Sequence, residues 1–179
     1  MYLISIYFDE KANAAISRYI HHVAKESGNL FMEENQVPPH ITISAFEAQD
    51  EGAVIKELEQ LVSNWQQGKI QYVSVGAFFP YVLYITPVLN TYLHHMTQKI
   101  YDTFCDKEGV KISKYYRPFQ WLPHTTIGKK LTKEEMQKAF EVMQRQFTVF
   151  DATVVKIGLA KTNPHRDIWM YELKKVLYK

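Results

Sequence analysis

Pro39-His40-Ile41-Thr42-Ile43 recurs as Pro123-His124-Thr125-Thr126-Ile127, eighty-four positions later in a chain of 179 residues. A single His-x-[Ser/Thr] carries little information, because seven histidines among residues of which about one in ten is Ser or Thr give about 0.7 such tripeptides by chance. Two copies that share the preceding Pro and the following Ile, in matching surroundings, make the chain read as a duplication. Pro38-Pro39 forces an extended entry into the first copy, so the motif begins a strand. On a strand His40 and Thr42 project to one face and Ile41 and Ile43 to the other, which points imidazole and hydroxyl into a cleft while the isoleucines anchor the core.

Working outward, Tyr2 to Phe8 is rich in β-branched and aromatic residues and reads as a strand. Asp9 is a helix N-cap, Ala12, Ile16, Tyr19, Ile20 and Val23 recur at helical spacing, and Gly28 is the stop. Gly28 to Val37 reads as loop. Beyond the first motif, Val54, Leu58, Leu61, Val62 and Trp65 trace a helix from about Asp50 to Gln67, ended by Gly68. Ile70 to Phe79 and Val82 to Thr86 follow as strands around the turn Pro80-Tyr81. Thr86-Pro87 reads as the start of a helix whose buried stripe is Leu89, Leu93, Met96, Ile100 and Phe104, broken at Gly109. Thr132 to Glu135 is a capping box before Met136, Ala139 and Met143. Thr148 to Ala160 and Ile168 to Leu173 read as strands joined by the polar turn Lys161 to Asp167, which carries Pro164 and His165.

Val37 to Phe79 and Trp121 to Lys161 therefore both read as motif strand, helix, strand, with Ser74-Val75-Gly76-Ala77 matching Lys156-Ile157-Gly158-Leu159. The expected fold is α+β: a duplicated, two-lobed unit of antiparallel sheets backed by helices, with pseudo-two-fold symmetry and a central cleft. The first motif half runs over about 1–79 and the second over about 80–179. No Gly, Ser or Pro linker separates them, so one domain is expected over residues 1–179.

A formal charge of +2 and a pI near 8.5 describe a mildly basic surface, suited to a local phosphate site and too weak for tight non-specific binding to duplex DNA. The lone Cys105 rules out an internal disulfide and, within an apolar helical pattern, reads as a buried, inert thiol. The chain opens on a strand without a basic leader, and no apolar run approaches the ~20 residues that span a bilayer, so the expected location is the cytoplasm, away from membranes. His21-His22 and His94-His95 are adjacent pairs on helices, about 100° apart around the axis, so neither pair can jointly hold a metal, and they read as surface or boundary side chains.

Two imidazoles with ordinary pKa near ~6.5 can work at neutral pH as one neutral base and one charged acid, which suits in-line displacement at phosphorus. Thr42 and Thr126 are placed to hydrogen-bond the non-bridging phosphate oxygens. Lys129 or Lys130 adds positive charge if the strand end turns inward. Between Val110 and Leu122, Arg117 stands among Tyr115, Tyr116, Phe119 and Trp121, a composition that stacks on nucleobases and touches phosphate. Tyr115 and Arg117 are accordingly candidate substrate contacts, and Phe46 is carried with them. Metal hydrolysis lacks its pattern here: no carboxylate shares a motif's strand face, and neither His-Glu-x-x-His nor a cysteine cluster is present. The Gly-x-Ser-x-Gly elbow of a serine hydrolase is missing too.

Paired His-x-[Ser/Thr] motifs half a chain apart, each on a strand of a duplicated α+β unit, resemble the 2H phosphoesterase superfamily, which includes the bacterial 2′-5′ RNA ligase and RNA 2′,3′-cyclic phosphodiesterase proteins. The resemblance implies acid and base roles for His40 and His124, phosphate-binding hydroxyls at Thr42 and Thr126, and action without metal or other cofactor on 2′,3′-cyclic or 2′-5′-linked ribonucleotide phosphates. Some relatives carry an Arg shortly after the second motif, where this chain has Lys129 and Lys130. The leading expectation is a cyclic phosphodiesterase whose partner is a nucleotide or RNA end. Its alternatives are 2′-5′ RNA ligation at the same site, and an RNA-end or nucleotide binding module with little turnover.

Overall fold

The computed structural model describes residues 1–162 and 166–176. Strand β1 (Tyr2–Phe8) alternates fully buried Ile4 and Ile6 with Ser5 and Tyr7, and helix α1 (Glu10–Ser27) starts at once. The Asp9 carboxylate makes that start abrupt: one oxygen accepts from Ala12 N at 2.9 Å and the other from Thr153 N at 2.6 Å, capping the helix and tying it to a strand far along the chain. Gly28, at φ +82°, closes α1 in the left-handed region that costs glycine little.

The stretch expected to be loop contains a short helix, α2 (Phe31–Asn35), started where Asn29 Oδ1 accepts from Phe31 N. Strand β2 (His40–Ala48) follows the two prolines. Helix α3 (Glu51–Val62) is capped by Asp50 and stops before Gln67, because Trp65 and Gln67 exchange backbone hydrogen bonds with Lys174 and need extended backbone to do so. Strands β3 (Gly68–Phe78) and β4 (Val82–Pro87) come next. Helix α4 (Thr91–Phe104) begins at Asn90, whose side chain accepts from Leu93 N, and not at Thr86. Thr86 stays in β4, donating its hydroxyl to Pro123 O at 2.7 Å, and Leu89 is consequently exposed. Strand β5 (Val110–Ile112), a 3-10 turn (Lys114–Tyr116), strand β6 (Thr125–Lys129), helix α5 (Lys133–Gln146) with its Thr132–Glu135 capping box, and strands β7 (Phe150–Lys161) and β8 (Arg166–Glu172) complete the order. The turn carrying Pro164 and His165 lies partly outside the described residues.

Among the described residues the named strands pair antiparallel along the path β5-β2-β1-β7-β3-β4-β6, with β8 added to β7. The lobes are not the two sequence halves. The closing strand of the first half, β3, joins β4 and β6, and the closing strand of the second half, β7, joins β1 and β2. Helices follow the same exchange: α1 packs on α5 and β6, while α4 packs on α3 and β2. Where β3 and β7 meet, Ile70 faces Ala152, eighty-two positions later, the separation that also relates Gly76 to Gly158. A residue facing its own counterpart across an antiparallel pair is what a two-fold axis requires.

The register repeats as well. Thr42, Ser5 and Gly158 stand side by side across β2, β1 and β7, and Thr126, Tyr84 and Gly76 do so across β6, β4 and β3. A bulge at Ile43 has its counterpart at Ile127. In a flat sheet β2 and β6, five strands apart on this path, would be separated by roughly 24 Å. Their Cα atoms instead come within 8 Å of one another, so the sheet curls until the two motif strands meet. Its packed side buries Ile4, Ile6, Ile41, Ile85, Ile157 and Leu159 completely, each worth about 1.5–3 kcal/mol relative to exposure.

Candidate active site

Each motif histidine stands where a proline-led segment turns into its strand, and each ring is held in the same way. His40 Nδ1 lies 2.8 Å from Pro38 O, and His124 Nδ1 lies 2.9 Å from Leu122 O. A carbonyl oxygen only accepts, so both Nδ1 atoms carry hydrogen and donate, which fixes the same tautomer in each neutral ring, with Nε2 as its acceptor nitrogen. The isoleucines after the histidines point the other way, with Ile41, Ile43 and Ile127 fully buried.

Around His124 the sequence builds a collar of rings. Phe78 meets it edge-on at 4.8 Å between centroids, Tyr84 lies 5.3 Å away, and the two collar rings are 4.4 Å apart. Glycine at 76 makes this packing feasible: a Cβ there would sit 2.6 Å from Cζ and Oη of Tyr84. Burial among these rings holds the His124 imidazole below the usual histidine pKa, against the opposing pull of its bond to Leu122 O. His124 also opens on a cavity of about 370 Å³ lined by Phe78, Tyr115, Tyr116, Gln120 and Trp121.

Two residues that line this cavity also touch the first motif. Trp121 donates its indole N–H to Thr42 O at 3.0 Å, and the Tyr116 hydroxyl lies against the Thr42 side chain. Thr42 is 8% exposed and shares a 3.3 Å hydrogen bond with Ser5, whereas Thr126 is half-buried. Beside His40 the sheet presents Tyr7, its ring 6.1 Å away, and then Lys156 in a 2.8 Å ion pair with Glu172, all in one cross-strand row. Burial and, secondarily, the charge of Asp167 push the Tyr7 hydroxyl up to about 12.

Other expected contacts are elsewhere. Lys129 and Lys130 are exposed with their ammonium groups 5.9 and 4.6 Å from the centre of the Phe31 ring, and they line a separate cavity with Tyr81. Phe46 is 1% exposed, stacked between Tyr2 and Phe104 in the core. The bulge at Ile43 is the cause: beyond it alternation slips by one residue, so Phe46 turns away from the face that carries His40. Tyr115 stands at the cavity's rim and Arg117 is exposed nearby. Cys105 caps the end of α4 half-buried rather than buried, its thiol pushed up by desolvation and by Asp106 and Asp102. His21 is exposed against Glu33 at 2.9 Å, and His94 lies against Phe119. Among the described residues no three His, Cys, Asp or Glu side chains cluster as metal ligands, and no helix is long and apolar enough to cross a membrane. Sequence reasoning missed Tyr7, Phe78 and Tyr84; the glycine at 76 was a signal that a large ring, Tyr84, lay opposite.

The sequence profile of the 2′-5′ RNA ligase superfamily matches residues 12–166. A Geobacillus sp. (strain WCH70) protein provisionally named a phosphoesterase is 24% identical over 128 residues, covering 69% of each chain. Among solved structures, E. coli LigT complexed with 3′-AMP superposes with a TM-score of 0.59 at 14% identity, covering 96% of this chain and 97% of that one. A second structure, described as a phosphoesterase, gives 0.57 at 14% identity and covers 97% of both chains.

Proposed function

Because the chain belongs to the 2′-5′ RNA ligase superfamily, whose fold it shares with a structure of phosphoesterase description, we propose that it hydrolyses 2′,3′-cyclic phosphodiesters of nucleotides or RNA ends by paired-histidine acid and base catalysis. The observation that carries this reading is the matched tethering of the two imidazoles, each giving its Nδ1–H to the carbonyl two residues earlier, on motif strands that the curled sheet brings together. The 3′-AMP held by E. coli LigT supports a nucleotide phosphate as the ligand class.

In this reading His124 is the base, because its ring burial favours the neutral form. Its Nε2 takes a proton from water as the water oxygen forms a bond to phosphorus. The bond from phosphorus to one ribose oxygen breaks, and His40, charged, gives its Nε2 proton to that oxygen. Thr42 and Thr126 donate to the non-bridging oxygens, where charge builds in the transition state. The ring opens to a phosphomonoester, and one proton has moved through each imidazole.

The test is turnover of a 2′,3′-cyclic mononucleotide in excess EDTA by wild type, His40→Ala and His124→Ala. Each substitution is expected to lower kcat by about 10² to 10⁴. Undiminished turnover in either variant removes that imidazole from the mechanism.

A further inference from the structure

The segment that bridges the motifs has an outer surface the chemistry above does not use. From Val110 to Leu122 the chain contains no Asp or Glu, while it carries Lys111, Lys114 and Arg117. Its inner edge is anchored: β5 pairs with the edge of β2, Ser113 N donates to Ala45 O at 2.8 Å, and the Trp121 side chain is held on Thr42 O. Its outer rings are left in solvent. Tyr115 is 68% exposed and Phe119 85% exposed, although large aromatic side chains normally hide most of their surface.

These rings are held in place. Lys114 Nζ stands 5.1 Å over the Tyr115 ring, and His94 of α4 supports Phe119 at 4.9 Å between centroids. Phe119 has φ +62°, a left-handed conformation that is a steric outlier for a bulky side chain. An exposed phenyl ring kept in a disfavoured backbone conformation is not explained by packing. Tyr115 also lines the cavity that contains His124, so the outer rings begin where the reacting phosphate is expected to sit.

We infer that Tyr115, Arg117 and Phe119 form a stacking platform for single-stranded RNA, taking unpaired nucleotides that lead up to the terminal phosphate. Rings supply sequence-tolerant stacking surfaces, and the acid-free cations meet the phosphates between successive bases. The occupant is a single strand because bases in a duplex are stacked on each other and cannot lie on a side chain. This rests on the proposed phosphodiester chemistry and adds to it a preference for oligonucleotides over mononucleotides.

Two measurements separate the platform from the chemistry. The first is kcat/KM for a 2′,3′-cyclic mononucleotide against a single-stranded octanucleotide with the same cyclic end. In the wild type the octamer is expected to be favoured by about tenfold to a hundredfold per stacked base. In Phe119→Ala/Arg117→Ala, which keeps Tyr115, that ratio falls by about tenfold or more. A wild-type ratio near one, or a ratio that survives in the double variant, overturns the platform.

The second measurement needs no turnover: fluorescence anisotropy of the octamer ending in a 3′-phosphate, its blunt duplex, and polyglutamate of equal charge. Tighter binding of the single strand, weakened about tenfold or more in the double variant, supports the inference. Equal binding of duplex or polyglutamate assigns the surface to charge alone and overturns it. Loss of turnover with single-strand binding intact would instead count against the proposed hydrolysis.

Discussion

At His124 a duplicated motif has acquired different neighbours. His40 lies 6.1 Å from the Tyr7 ring, whereas His124 sits against Phe78 and Tyr84 at 4.8 and 5.3 Å. Enclosure keeps water from the imidazolium, so the folded His124 pKa lies below the ~6.5 of an unfolded chain. The folded state then binds fewer protons than the unfolded state between those two values. His124 thus contributes full stability above about 6.5, and loses it as pH falls toward its folded pKa. Activity should likewise decline on the acid side with a midpoint below about 6.5, where the proposed base becomes charged. Gly76→Ala tests the source of the shift, since the new Cβ must displace the Tyr84 ring from a 2.6 Å approach. With that ring moved, the His124 titration followed by NMR should rise toward the ordinary value. An unchanged titration in a folded Gly76→Ala protein would show that the collar does not set it.

Among elements, the strand is what gives a His-x-Thr its meaning. The tripeptide occurs a third time, as His95-Met96-Thr97, but on α4 the helical period separates the pair, leaving His95 exposed and Thr97 buried with its hydroxyl bonded to Leu93 O. The two strand copies were legible because Pro before the His and Ile after it fix both the extended entry and the buried face. Helix starts at Asp9 and Thr132 were legible because a side-chain cap is a local event. What failed was non-local. Thr86-Pro87 has a helix-start pattern that loses to the pairing of β4 with β3 and to the bond from Thr86 to Pro123. Phe46 shares the parity of His40 in sequence, and only the bulge at Ile43, a two-strand feature, reverses it. Phe46→Ala is accordingly expected to cost about 3–5 kcal/mol in urea unfolding, the range for emptying a buried phenyl site. The milder Phe46→Leu should keep the wild-type KM. A raised KM in Phe46→Leu at full stability would return Phe46 to the substrate.

For the whole molecule, exchange of β3 and β7 makes the halves interdependent. Residues 1–79 hold β1 and β2, but β1 lacks its second neighbour without β7, and β3 lacks both of its partners, β4 and β7. The α1 face that packs on α5 and β6 would be bare as well, with Ile16, Tyr19 and Val23 exposed to water. Residues 80–179 suffer the mirror loss, since β4 needs β3 and α4 needs α3 and β2. Sequence reading placed each half on its own sheet because neighbouring strands in a chain usually pair, and no local pattern records that two closing strands have traded places. The break for a test falls naturally between Phe79 and Pro80, in a hairpin tip where Phe79 is 79% exposed and few packing contacts are interrupted. Each fragment alone is expected to give the far-UV circular dichroism of an unfolded chain. An equimolar mixture should regain the antiparallel sheet, a single cooperative melt and, on the proposed chemistry, cyclic-nucleotide turnover, because β3 and β7 then find their partners across the cut. Cooperative melting of the 1–79 fragment by itself would mean that the traded strand is an ornament on a self-sufficient lobe, and that the two motif strands are brought together by docking of finished units instead of by one shared act of folding.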